Sequence, residues 1–212
     1  MLMRTAAVAI DHLVLATPDL VATSAWIRES TGVSPSMGGQ HLGLGSRNML
    51  CSLGDFSYLE IVGPDPDQDP PPGPRPFGID DLTEAAFVAW AIAVRDIVAA
   101  VASARSAGYD PGDHRGMDRR RPDGLVLSWR LTVSKSRIIP FLIDWGDSAH
   151  PARDAARGLT LHDLRAQHPN PATVNLALQA LGVTMAVDIG PEALLPSLRG
   201  PGGSLDLSRL RG

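Results

Sequence analysis

The stretch Asp11-His12-Leu13-Val14-Leu15-Ala16-Thr17-Pro18-Asp19-Leu20 decides the fold. Residues Val8 to Thr17 are apolar and rich in β-branched side chains, and they stop at Pro18, which predicts a buried strand. Asp19 then supplies an N-cap, and Leu20, Ala22, Ala25, Trp26 and Ile27 keep helical spacing up to Gly32. After Val33 to Ser36 and a glycine-rich bend at Gly38-Gly39 come two further apolar runs, Arg47 to Leu53 and Phe56 to Val62, parted by a Gly54-Asp55 turn. Residues 8–63 therefore read as one βαβββ module.

The pattern breaks at Pro64-Asp65-Pro66-Asp67-Gln68-Asp69-Pro70-Pro71-Pro72, because proline lacks a donor and fixes φ; residues 64–85 read as an extended connection. It then returns over residues 86–148. Phe87 to Val94 is a strand, and Asp96 caps a helix with Ile97, Val98, Val101, Ala104 and Ala107 on one face, closed by Gly108. A polar loop with Asp113, His114 and Arg119-Arg120-Arg121 follows. Leu125 to Val133 and Ile138 to Trp145 are further strands, with a turn near Ser134-Lys135-Ser136. Ala89-Trp90-Ala91-Ile92-Ala93-Val94-Arg95-Asp96-Ile97 aligns in role with the opening stretch, so the module is an internal repeat. A third, partial module is expected over 159–212, with Leu176, Leu178 and Leu181 on a helix and short strands at Val183 to Ile189 and Ser204 to Leu207. The fold class is α+β: paired βαβββ modules forming a cupped mixed sheet, with the partial module at the C-terminus.

Composition narrows the function classes. The 212 residues are 44% hydrophobic, enough for a sizeable core, but only 5% aromatic. A net charge of −4 argues against nucleic acid or an anionic membrane as partner, since both need concentrated positive charge. The arginine run is too short to reverse this and reads as a solvated loop. Cys51 is the lone cysteine, which excludes an internal disulfide; its apolar neighbours predict a buried, inert thiol. The run Ala6 to Ile10 is too short for a signal-peptide core or a membrane span, so a soluble cytoplasmic protein is expected. No Gly-x-Ser-x-Gly elbow, P-loop, dinucleotide fingerprint or EF-hand is present.

The opening stretch resembles the first strand of the glyoxalase, bleomycin-resistance and extradiol-dioxygenase proteins, the vicinal-oxygen-chelate superfamily, and Ser57-Tyr58-Leu59-Glu60-Ile61-Val62 resembles their fourth strand. Gly45-Ser46-Arg47-Asn48, Arg121-Pro122-Asp123-Gly124, Pro140-Phe141-Leu142-Ile143-Asp144-Trp145-Gly146-Asp147 and His150-Pro151 are similar to its glyoxalase-like branch. The resemblance covers roughly residues 8 to 182. It implies two modules pairing into a half-barrel, helices outside and a small-molecule pocket inside.

Strand alternation selects the pocket residues without that resemblance. Leu13 and Leu15 suit the helix side, which leaves His12, Val14 and Ala16 on the other. Leu59 and Ile61 likewise leave Tyr58, Glu60 and Val62. His12 and Glu60 are thus expected on one concave surface. An imidazole and a carboxylate there suit iron, manganese, zinc or nickel, and a bound divalent ion would polarise neighbouring substrate oxygens. The resemblance also puts metal ligands at these two positions. The alternative is that the pair hydrogen-bond each other or line a metal-free pocket.

In the second module the position matching His12 is Ala89 or Trp90, and the position matching Glu60 is Ile143 or Asp144. Asp144 is taken as pocket-facing, since a bare carboxylate against an apolar helix is costly. His41 is the only other first-module histidine available to complete a ligand set. Asn48, sharing a face with Leu50, is a candidate lining residue. Arg130 either holds a ligand carboxylate or phosphate or pairs with Asp144. Trp90 and Trp145 read as core, and His150, His162 and His168 as surface or capping histidines.

Two functions stand open. One is a metal-dependent lyase, isomerase or dioxygenase acting on vicinal oxygens, with Glu60 as ligand or general base. The other is a metal-free protein that binds or sequesters a small ligand. An exposed sheet edge would also allow a homodimer.

Overall fold

Thr17-Pro18-Asp19 ends one strand and starts one helix. β1 (Ile10–Ala16) stops there, and the Asp19 carboxylate accepts from the Ala22 amide at 2.9 Å to open α1 (Leu20–Thr31), which Gly32 closes in the left-handed conformation. The computed structural model describes residues 9–120, 123–133 and 136–205. Val8, Arg121, Pro122, the Ser134-Lys135 part of the expected turn, and Leu207 lie outside the described residues. Three strands follow α1, namely β2 (Ser36–His41), β3 (Ser46–Gly54) and β4 (Ser57–Pro64). The second module repeats the order: β5 (Ala86–Ala93), α2 (Ile97–Ser106), β6 (His114–Arg120), β7 (Val126–Thr132) and β8 (Phe141–Asp144). Asp96 caps α2 as Asp19 caps α1, accepting from Val98 and Ala99.

The strands run β1-β4-β3-β2-β6-β7-β8-β5 and close into a barrel. Each module is a cupped half-sheet, and the two meet at β1–β5 and, over Gln40↔Arg120 and His41↔Arg119, at β2–β6. Gly39 permits the second seam, because a Cβ there would lie 2.2 Å from the Arg120 carbonyl oxygen. The strand continues through the glycines that read as a bend, with a register shift against β3 between Met37 and Gly39.

Alternation gives the barrel two cores. Leu13, Leu15, Leu59, Ile61, Trp90 and Ile92 face outward and pack with Ile27, Ile97 and Val101 of the helices. Val14, Ala16, Val62, Ala89, Phe141 and Ile143 face inward. Each fully buried Ile or Leu contributes about 1.5–3 kcal/mol, so both faces of β1 support the fold. Cys51 is buried among the outer residues, and burial pushes its thiol up to about 12.

The polar loop expected around Asp113 to Arg120 is instead β6, paired with β7 from His114↔Thr132 to Arg120↔Val126. Its outward residues Gly116, Asp118 and Arg120, with Ser128 and Arg130 of β7, are solvent-exposed. The inner face of β6 carries Arg115 and Arg119 beside Met117, so both faces of this strand are polar, a pattern that reads as a loop when scanned for hydrophobicity.

The C-terminal unit is a separate sheet with order β10-β9-β11-β12. It comprises β9 (Thr160–His168), α3 (Pro171–Ala180), β10 (Ala186–Ile189), β11 (Ala193–Gly200) and β12 (Gly203–Ser204). Unlike the first two modules, the strand after the helix pairs directly and in parallel with the strand before it. β11 was not expected; Pro196 and the polar residues around it hide the strand. Among the described residues no helix is long and apolar enough to cross a membrane.

Candidate active site

The inward faces enclose a cavity of about 310 Å³, within the range of small-molecule pockets. One part of its wall is polar, made by His12, His41, Asn48, Glu60 and Arg119; Phe77, Trp129, Leu131, Phe141 and Ile143 form an apolar part. Phe77 comes from the connection between modules, where a 3₁₀ turn at Pro76–Asp81 holds it in the left-handed region at φ 62°.

β1 and β4 are parallel neighbours, with His12 opposite Tyr58 and Val14 opposite Glu60. The His12 ring stacks on Tyr58 at 4.7 Å, and its Nε2 lies 3.8 Å from Glu60 Oε2. On the other side of the ring, Nδ1 is 2.6 Å from Asp11 Oδ1. Asp11 is fully buried, and its second oxygen accepts from Trp145 Nε1 at 2.9 Å and faces His150 Nε2 at 3.1 Å. The Asp11 carboxylate accepts, so His12 Nδ1 carries the proton and Nε2 faces the cavity as the basic nitrogen.

Glu60 is the second hub. Asn48 Nδ2 donates to its Oε1 at 2.5 Å, and His41 Nε2 lies 3.5 Å from the same oxygen. His41 Nδ1 meets Ser46 Oγ at 3.0 Å. Arg119, buried on β6, donates from Nη1 to Asn48 Oδ1 at 3.1 Å and so fixes which end of the amide faces Glu60. Gly38 makes room for this contact, since a Cβ there would fall 2.1 Å from Asn48 Oδ1.

Burial acts to raise both carboxyls, but hydrogen bonds and charge outweigh it. His41, His12 and Asn48 hold Glu60 down at about 2, and His12 and His150 hold Asp11 down at about 2. Depressed carboxyls stabilise the fold above their unfolded-state values, and that contribution is lost as pH falls through the folded values. At about 1.4 kcal/mol per pH unit, each contributes on the order of 2–3 kcal/mol, lost between about pH 5 and pH 2. Urea unfolding of wild type should therefore weaken steeply over that range, and Glu60→Gln should flatten the slope. Equal slopes for the two proteins would contradict the assignment.

The donor set does not fit a divalent ion. His12, His41 and Glu60 are the right types, and Asp11 and Ser46 orient the two rings as outer partners of metal ligands do. But the Asn48 amide, locked by Arg119, presents N–H donors to Glu60 and His41 Nε2, 3.4 Å away, where a shared cation would have to sit. The second module adds Ala89 and Ile143 to the lining, neither a ligand. Among the described residues no group of three or more His, Cys, Asp or Glu side chains could hold a metal ion.

The other expected residues divide. Asn48 and His41 lie in the polar wall. Asp144 does not: Ile143 takes the cavity side, and the Asp144 carboxylate turns outward to Arg130 Nη2 at 2.6 Å and the Gly146 amide at 2.9 Å. The outward carboxylate is offset by that guanidinium, and it also faces the Ile97 amide at the start of α2, 3.4 Å away. Arg130 accordingly leaves the cavity wall to Trp129 and Leu131. Trp145 lines the cavity as well as packing, and His150 both accepts from the Ala152 amide and meets Asp11.

Asp11, Arg115, Arg119 and Arg137 were missed. Alternation puts Asp11 on the apolar face of β1, and that was the available signal: a carboxylate there must have partners. The arginines were hidden by the loop reading of β6 and its surroundings.

Among known families, the one described as a glyoxalase-like domain matches residues 10–182. Among solved structures, a hypothetical protein from Staphylococcus aureus aligns with a TM-score of 0.63 at 14% identity, covering 87% of each chain. Methylmalonyl-CoA epimerase from Mycobacterium tuberculosis aligns at 0.46 with 17% identity, over 70% of this chain and 94% of that one. A hypothetical protein from Bacillus halodurans aligns at 0.44 with 14% identity, over 66% and 95%. The first likeness speaks for the fold alone, and the other two are too distant to carry an argument. No curated protein matches the chain.

Proposed function

The chain belongs to the glyoxalase-like family, and on that premise we propose that its barrel cavity takes a small oxygen-bearing organic molecule and that His12 moves a proton on it, as in an isomerase or lyase. The observation that supports this reading is the His12 ring held between two carboxylates, with Nδ1 on Asp11 and Nε2 turned to Glu60 and the cavity. In such a site Nε2 accepts a proton from the carbon or hydroxyl of the bound molecule, Asp11 and Glu60 stabilise the imidazolium, and the proton returns to a neighbouring atom. Glu60, expected from sequence as a general base, is the weaker acceptor at neutral pH because its carboxyl is held at about 2. It serves better as the fixed negative charge facing both histidines. No step is assigned to a metal ion, because the locked Asn48 amide fills the ligand position between His41 and Glu60.

The test is exchange in deuterium oxide. Small hydroxyketones, diones and 2-oxo acids are incubated with the protein, and loss of their C–H signals is followed by proton NMR. Wild type should exchange at least one compound and His12→Gln none. Exchange by His12→Gln at the wild-type rate would refute the assignment. Compounds that raise the melting temperature without ever exchanging would favour the second reading, a metal-free binding protein. That reading draws on Ala89 and Ile143, where the second module has no reactive side chain to match His12 and Glu60.

A further inference from the structure

The cavity lining is positively charged although the chain carries a net charge of −4. Its charged side chains are Arg115, Arg119 and Arg137 against Glu60 alone. Arg119 is buried beside Asn48. Among the described residues the Arg115 and Arg137 guanidiniums form no ion pair; the carboxylate that does contact Arg137 is Glu192, whose Oε1 accepts from the Arg137 backbone amide at 3.3 Å.

The two arginines come from one end of the β6–β7 hairpin. His114 pairs with Thr132, so Arg115 lies where β7 ends and the segment bearing Ser136 and Arg137 begins. Arg115 and Arg119 share the inner face of β6 four residues apart, about 13 Å along the strand. The cations at the hairpin end are therefore separate from the Arg119–Asn48–Glu60 contact. Beside them, Trp129, Leu131 and Phe141 make an apolar wall. A guanidinium without a protein carboxylate next to such a wall attracts an anion, and its forked donors match a carboxylate.

We propose that Arg115 and Arg137 form an anion-recognising end of the cavity, and that the ligand is a small organic acid with its carboxylate there and its apolar body against Trp129, Leu131 and Phe141. This rests on the small-molecule reading above and deepens it. Charge at one end and proton transfer at His12 would together fix the orientation of the molecule.

The probes are phenylpropanoate and phenylbutanoate, each against its own neutral amide, with binding read from quenching of tryptophan fluorescence and from the shift in melting temperature. In wild type each acid should bind at least about tenfold more tightly than its amide, and added salt should weaken the acid alone. Both arginines are exposed, so Arg115→Gln/Arg137→Gln should fold normally and lose the preference, while Arg115→Lys/Arg137→Lys should keep part of it. Equal affinity of acid and amide, a preference that survives the double glutamine variant, or no binding of either probe would overturn the proposal. The exchange assay reads His12 separately. Equal binding with intact exchange removes the anion end alone, and lost exchange with an intact acid preference removes the proton site alone.

Discussion

Asp11→Ala is expected to lower stability by about 3–5 kcal/mol, the range for removing one partner of a buried charged network. Asp11 is fully buried and faces three nitrogens, on His12 at 2.6 Å, Trp145 at 2.9 Å and His150 at 3.1 Å. Alanine leaves the His12, Trp145 and His150 donors without this acceptor, and the fully buried position of Asp11 gives water little access to replace it. For a domain of this size about 2–4 °C is lost per kcal/mol, so melting should fall by roughly 10 °C. Asp11→Asn keeps one acceptor oxygen but turns an amide N–H toward the other donors, so it should fall between wild type and Asp11→Ala. Guanidinium unfolding of the three proteins checks the order. A loss below about 1 kcal/mol for Asp11→Ala would mean that the network does not hold the site together.

Gly38→Ala should break the other half of the polar wall. The new methyl would lie 2.1 Å from Asn48 Oδ1 and 3.0 Å from Arg119 Nη1. Overpacking of this kind costs about 1–3 kcal/mol, and the amide that must move is the one that holds Glu60. Asn48→Ala alone also destabilises, because it removes the Glu60 and Arg119 partner. The double variant removes the clash as well as the amide, so its cost should be well below the sum of the two single costs. A double-mutant cycle by guanidinium unfolding measures this coupling, and additivity within about 0.5 kcal/mol would show that the methyl is accommodated elsewhere.

The parts of the fold legible in the sequence were those where local chemistry and packing agree. Asp19 and Asp96 cap helices directly after apolar strands, and Leu13, Leu15, Leu59 and Ile61 mark the faces that meet the helices. β6 was illegible because its outer face meets water and its inner face carries two arginines, so no apolar alternation survives. β11 was hidden by Pro196. The barrel seam at Gly39 was hidden for another reason: whether a glycine marks a bend or a close approach depends on a strand about eighty residues away.

At the site, alternation placed His12 and Glu60 on one face because both flanking strands have apolar partners that fix the phase. At Asp144 the expected cost of a carboxylate near a helix misleads, because the Arg130 guanidinium, in the pairing that was one of its two readings, removes that cost. The metal expectation turned on a feature outside any single strand. Arg119, reaching across the seam, orients Asn48 toward Glu60.

His12 and His41 direct their Nε2 atoms at Glu60 inside the cavity, and the site's chemistry depends on that arrangement. Histidine-selective ¹⁵N NMR of wild type and Glu60→Gln tests this directly. The expected result is a shift of the Nε2 resonances of His12 and His41, with those of His162 and His168 unmoved. Unchanged His12 and His41 resonances in a folded Glu60→Gln protein would contradict it.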